Sequence, residues 1–354
     1  MSLTPEYLQA AGVRLTFDPE GGMLQDLAVE DDGQQVSPLH RAPWAGKGEA
    51  MPEGSGVTLG KLGGDWFCAP FGARDEGSPL HGWTAGSVWK VVRRAPGLLR
   101  ALLDRPVRGA TVLKELSIED GQPFVYQRHL FLGGTGRVPV ANHANVSLAN
   151  GGIIRTSPKA FWETPKNAQE SDPARGRSCL SYPAQSRDPR AFPGLDGPVD
   201  LMHYPWGSRH EDFVMGLEAL GHRLGWTAVT RPQEGDLYLS LRDARALPMT
   251  MLWHSNGGRD YPPWSSRHFG CLGVEEGAAA TMLSLSGEAD LVGPGQLALS
   301  PDGRSEVRHV TGAIRWPSGE PVAEIREDRG SILVIGVGGA RRRLPFRAGF
   351  LGLD

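Results

Sequence analysis

Four short segments of this sequence gather the residues that could do proton chemistry, and each interrupts an apolar run. Cys68-Ala-Pro-Phe-Gly-Ala-Arg74 is followed closely by Pro79-Leu-His81-Gly-Trp83. Val140-Ala-Asn142-His143-Ala-Asn145-Val-Ser147-Leu148 sets a histidine between two asparagines. Pro248-Met-Thr-Met-Leu-Trp253-His254-Ser-Asn256 passes from apolar to polar, and Gly270-Cys-Leu-Gly-Val-Glu275-Glu276 ends on two carboxylates. Burying a carboxylate is costly unless it is paired or used, so Glu275 reads either as a strand-end surface charge or as a base. A glutamate with a pKa of about 4.3 is ionised at neutral pH, and a histidine near 6.5 is close to it. Each contributes typically 10²–10⁴-fold as general base or acid. Taken singly, His143 reads as a hydrogen-bonded structural histidine and His81 as a turn histidine. Successive strand side chains point to opposite faces, so Glu276 is expected to turn away from whatever Glu275 faces.

Other catalytic spacings are missing from the sequence. The ten histidines include no HxxxH or HExxH pair, so no metal site is expected. GxSxG, GxGxxG and P-loop patterns are also absent, which removes most serine hydrolases, dehydrogenases and NTPases by motif and leaves no cofactor signature. Three widely spaced cysteines, Cys68, Cys179 and Cys271, argue against a disulfide framework and for a reducing, cytoplasmic location. No secretory leader is read at the N-terminus. A net charge of -3 gives no basic bias toward nucleic acid or an anionic membrane, and no apolar run approaches the ~20 residues of a membrane span.

The elements that must position these segments read as strands. The 48 glycines and 28 prolines punctuate turns, and helical periodicity is scarce. Apolar or alternating runs recur at 13–17, 23–29, 88–92, 110–116, 125–132, 237–241, 249–253 and 331–337, with Asp32-Gly33, Asp120-Gly121 and Asp302-Gly303 between them as hairpin signals. The pattern predicts an all-β chain of large packed antiparallel sheets. Residues 157–207 are rich in Pro, Ser, Arg and Asp, and read as a lid or rim over a site or as a solvated excursion. Among the ten tryptophans, Trp66, Trp83, Trp253 and Trp264 lie beside the polar segments. Aromatic rings next to Arg, Asn, His and Glu suit a polyhydroxylated ring, although packing accounts for any single one.

In this order, the segments resemble the aldose 1-epimerase (galactose mutarotase) family. Pro70 to Arg74 is similar to its Pro-Tyr-Ala-Asn-Arg, and Leu80-His81-Gly82 with Trp89 to its Leu-His-Gly-Gly…Trp. Ala141 to Leu148 resembles Thr-Asn-His-Thr-Tyr-Phe-Asn-Leu, Pro248 to Asn256 resembles Pro-Gly-x-Gln-x-Tyr-Thr-x-Asn, and Gly270 to Glu275 resembles the strand bearing the family's glutamate. The matches span about residues 65 to 280. The resemblance implies a large twisted β-sandwich spanning 1–354 as one domain, its core about 10–315 with a C-terminal extension about 316–354. It implies cofactor-free exchange of sugar anomers, with Glu275 as base and His143 as acid. Arg74, His81, Asp212, Trp253 and Asn256 would contact the sugar, in a monomer or homodimer. The chain departs from the pattern at Ala73, at Trp253-His254, at Glu276 and in the loop 256–264, all around the expected pocket. A binding protein without turnover, or an epimerase of a sugar phosphate held by Arg74, Arg259 and Arg267, therefore stays open.

Overall fold

Two large antiparallel sheets pack face to face in the computed structural model, which describes residues 3–72, 77–317 and 319–353. All eight apolar runs read from the sequence are strands. Asp32 and Gly33 both have positive φ and join Met23–Asp31 to Gln34–Val36 in a two-residue hairpin. Asp120-Gly121 lies between two paired strands, Thr111–Ser117 and Phe124–Leu132. The third signal, Asp302-Gly303, makes a turn but no hairpin, because the strands beside it pair elsewhere.

The first sheet has eleven strands. Its centre runs in the order Asp65–Cys68, Val140–Ser147, Cys271–Ala278, Met249–Asn256, His210–Glu218. Those five strands carry most of the chemistry-bearing segments. The second sheet has nine strands, with Leu224–Arg231, Asp236–Asp243, Arg304–Arg315 and Phe124–Leu132 at its middle. Apolar residues between the sheets, such as Phe17, Leu27 and Phe67 against Val112, Val125 and Phe131, exclude water from the core.

Strand alternation then sorts the side chains of the five central strands. Leu272, Val274, Leu252 and Val214 enter the core between the sheets. Trp66, Phe213, Met251 and Trp253 take the other face and form a separate cluster there. A small C-terminal sheet (Val322–Glu327, Ser331–Gly336, Arg341–Pro345) covers the outer face of the nine-stranded sheet. Ile325, Val334, Leu344 and Phe346 pack there on Phe124, Tyr126, Leu239 and Val310.

Candidate active site

A cavity of about 900 Å³ opens on the face of the eleven-stranded sheet opposite the core, lined by Trp66, Phe71, His81, His143, Phe213, Trp253, Glu275 and neighbouring loops. At its floor, His143 and Glu275 are directly opposed on adjacent antiparallel strands. Side chains at such positions start ~5 Å apart at Cβ. Here the pair closes to 3.1 Å between His143 Nε2 and Glu275 Oε1. On the other side of His143, its cross-strand partner Trp66 covers the imidazole, with ring centroids 4.5 Å apart. Gly273, two residues before Glu275, leaves room for the carboxylate. A Cβ at this position would lie 2.9 Å from Glu275 Oε1 and 2.9 Å from Trp253 Cβ.

Burial pushes the Glu275 carboxyl well above its ordinary range. Burial, reinforced by nearby His81, pulls His143 well below that of a free imidazole. His81 is itself lowered to about 4 by burial. Both shifts favour the uncharged form of the pair, with one proton to divide between carboxyl and imidazole, over an ionised Glu275. This corrects the expectation that Glu275 stands ready ionised: desolvation outweighs the reference value.

His81 sits at φ 70, just before the short helix Gly82–Gly86. Gly82 packs so closely on Ala69 that a Cβ there would be 2.0 Å from its carbonyl oxygen. This contact fixes the turn that presents His81, whose ring lies 5.5 Å edge-on from that of His143. Trp253 lines the cavity with its ring and donates from Nε1 to Glu211 Oε1 at 2.6 Å. Glu211 is buried, accepts from Ser255 Oγ at 2.9 Å and pairs with Arg259 at 3.2 Å. Arg259 in turn lies over the Trp264 ring at 4.3 Å. The Glu211 carboxylate therefore fixes the orientation of two cavity walls.

Of the residues expected at the site, the structure brings together Glu275, His143, His81 and Trp253. Arg74 lies outside the described residues. Asp212 is not brought to the cavity. It faces the core side, where its carboxylate accepts from the backbone N–H groups of Cys179 and Leu180 at 3.0 and 3.1 Å and from Tyr182 Oη at 3.1 Å. The reason is parity: a one-residue slip along a strand reverses the face, and Glu211 and Phe213 are the cavity-side neighbours. Asn256 likewise turns away, donating to the Gly207 carbonyl at 3.0 Å. Glu276, as expected, points into the core, where it meets Arg242 at 2.7 Å and the hydroxyls of Thr227 and Thr250.

Two walls went unread in the sequence. One is the segment 50–62, which supplies Met51, Leu59 and Leu62 and whose composition resembles any surface loop. The other is Arg259, Tyr261 and Trp264: the sequence offered Trp264 as a sugar-facing aromatic and Arg259 as a phosphate ligand, but not the wall they form with Tyr261. Of residues 157–207, Gln169 and Arg175 reach the cavity, while Leu180, Phe192 and Leu201 are buried in the core. The segment is thus part rim and part anchored cap.

Among the described residues, two clusters place three potential metal-ligand atoms within 4.8 Å of one another: His40, His268 and Cys271, and Cys179, His210 and Asp212. Neither includes the dyad. In the first, His40 Nε2 and His268 Nε2 are hydrogen-bonded to each other at 3.1 Å, and His268 Nδ1 to Ser255 Oγ at 2.7 Å.

No family model and no curated protein matches the chain. Solved structures do. A candidate aldose 1-epimerase from Escherichia coli K12 aligns over 88% of this chain and 98% of its own, with a TM-score of 0.54 and 12% identity. Another from Klebsiella pneumoniae aligns over 87% and 78%, at 0.53 and 15%. A galactose mutarotase-like protein from Lactobacillus casei aligns over 88% and 100%, at 0.51 and 11%. The likeness establishes the fold: a galactose mutarotase-like β-sandwich, as the sequence led us to expect.

Proposed function

We propose that this chain is a cofactor-independent aldose 1-epimerase, interconverting the α and β anomers of a reducing sugar by acid/base ring opening. The observation that carries the reading is the His143–Glu275 contact of 3.1 Å at the floor of a cavity lined in part by aromatic rings. The two oxygens of a hemiacetal share one carbon, so two catalytic atoms this close can each meet one of them. In the working tautomer the shared proton rests on His143 and Glu275 is the carboxylate, with no change in the total charge of the pair. Glu275 takes the proton of the anomeric hydroxyl, whose O–H electrons form the carbonyl. The C1–ring oxygen bond breaks, and the ring oxygen takes the proton from His143. After rotation about C1–C2 the same steps run backwards on the other face.

His81 holds a sugar oxygen, Trp253 covers a face of the ring, and Arg74 is carried from the resemblance as a further sugar contact. The sugar-phosphate alternative gains no support from its other two arginines: Arg259 is engaged by Glu211, and Arg267 by Glu49. The ligand is a small sugar, with no call on nucleic acid or membrane. No helix among the described residues is long and apolar enough to cross a membrane. The unpaired thiols Cys68, Cys179 and Cys271 support a cytoplasmic location.

The test is anomer exchange by NMR across a panel of aldoses, wild type beside Glu275→Gln. Exchange that falls by at least ~10²-fold in the variant is expected. Full exchange in a folded variant, or none in the wild type on any sugar it binds, would overturn the reading.

A further inference from the structure

The cavity is larger than one unmodified sugar ring needs, and one of its walls is apolar. Its ~900 Å³ lies near the top of the range that encloses drug-sized ligands. At the floor, His81 Nδ1, His143 Nδ1 and Glu275 Oε2 are buried without a hydrogen-bond partner, and Arg175, Arg259 and Tyr261 add polar groups on one side of the cavity. Met51, Leu59, Leu62, Phe71 and Met282 form an apolar wall continuous with the aromatic residues of the floor. Every carbon of a free aldose carries oxygen. Hydroxyls pressed against Met, Leu and Phe would lose water and gain no partner, which is the costly case. An apolar group on the same surface would lose nothing and remove apolar area from water.

We infer that the substrate is a reducing sugar carrying an apolar acyl or aryl substituent on a hydroxyl remote from C1. The inference rests on the epimerase reading for the anomeric end, which the chemistry requires to be free and seated at Glu275 and His143. The substituent then lies along Met51, Leu59 and Met282. Met282 packs directly over Gly72, where even a Cβ would come within 2.5 Å of its sulfur, so this wall is closed at one side. Methionine suits such a surface because its flexible thioether adapts to irregular apolar shapes.

The probes are glucose and galactose, their 6-O-octanoyl esters, and the methyl glycosides of all four, which cannot open. Exchange is read by NMR, and binding by quenching of the cavity tryptophans Trp66, Trp253 and Trp264, below the micellar range of the esters. The expected result is a KM for the octanoyl sugars lower by about tenfold or more, comparable to what small apolar groups contribute in hydrophobic pockets. The ratio should collapse toward unity in Leu59→Asn/Met282→Gln. Equal KM values for free and acylated sugars, or equal effects of the wall substitutions on both, would overturn the inference. The glycosides separate the two claims. If octanoyl glycosides bind tighter but no sugar exchanges, the epimerase reading falls and the apolar subsite stands. If exchange is seen without octanoyl preference, the reverse holds.

Discussion

Gly273→Ala is the sharpest perturbation the site offers, because it touches neither catalytic side chain yet has to move one. The added methyl would sit 2.9 Å from Glu275 Oε1 and 2.9 Å from Trp253 Cβ, both inside normal van der Waals contact. Trp253 is held by its bond to Glu211 and by strand pairing, so it yields little. The carboxylate, at the end of a rotatable chain, yields instead. Yielding lengthens its 3.1 Å contact with His143 Nε2. Misplacement of a reacting group by ~1 Å can cost ~10²-fold in rate, equivalent to about 2.7 kcal/mol at 1.36 kcal/mol per decade. The expected outcome is a ~10²-fold lower kcat with KM changed far less, since the sugar's other contacts remain. Stopped-flow polarimetry or NMR exchange gives both constants, and thermal unfolding checks that the strand still forms. A folded Gly273→Ala protein with undiminished kcat would refute the claim that catalysis depends on the close dyad.

Further outcomes follow from the same geometry. Glu275 has a folded pKa raised above its unfolded value, so its stabilising protonation is complete below about pH 4.3 and lost as pH rises through the folded value. Glu275→Gln should therefore melt higher than wild type at pH 8, with the gap closing toward pH 4; a pH-independent gap would contradict the burial argument. Arg242, fully buried between Glu218 and Glu276, should cost about 3–5 kcal/mol when changed to alanine, read by urea unfolding. Asp212→Asn should lower stability by about 1–3 kcal/mol by loosening the backbone of Cys179 and Leu180, and leave KM unchanged. A raised KM with normal stability would return Asp212 to the substrate.

Strands and their turns were legible because alternation and Asp-Gly signals are local properties. His143 and Glu275 were singled out by the ordered resemblance of their segments to a known family, since each residue alone also reads as structural. What the sequence could not display was parity across strands. Asp212 and Glu211 are neighbours of like chemistry, and only the pairing of Phe213 with Trp253 decides which of them faces the cavity. Nor could spacing reveal that segment 50–62, which forms only the short helix Val57–Gly60, folds back as a wall. Its apolar residues are too few to give a period. The protonation state was misjudged for a related reason. A reference pKa belongs to a solvated group, and burial is a property of the assembled sheet.

The two adjacent glutamates show how one strand makes a structural acid and a reactive one from the same side chain. Glu276 enters the core and meets a guanidinium and three hydroxyls, from Arg242, Thr227, Thr250 and Ser240. Four polar partners surround its carboxylate in the core. Glu275, one residue away on the opposite face, is equally buried but meets only His143, and its second oxygen has no partner. Its desolvation is left uncompensated, which raises the proton affinity of its carboxylate and leaves its second oxygen available to a ligand. Surrounding Glu275 with donors as Glu276 is surrounded would stabilise the carboxylate and weaken it as a base. The sparse environment of Glu275 is therefore what the proposed chemistry requires, and the crowded environment of Glu276 is what a carboxylate buried in the core requires.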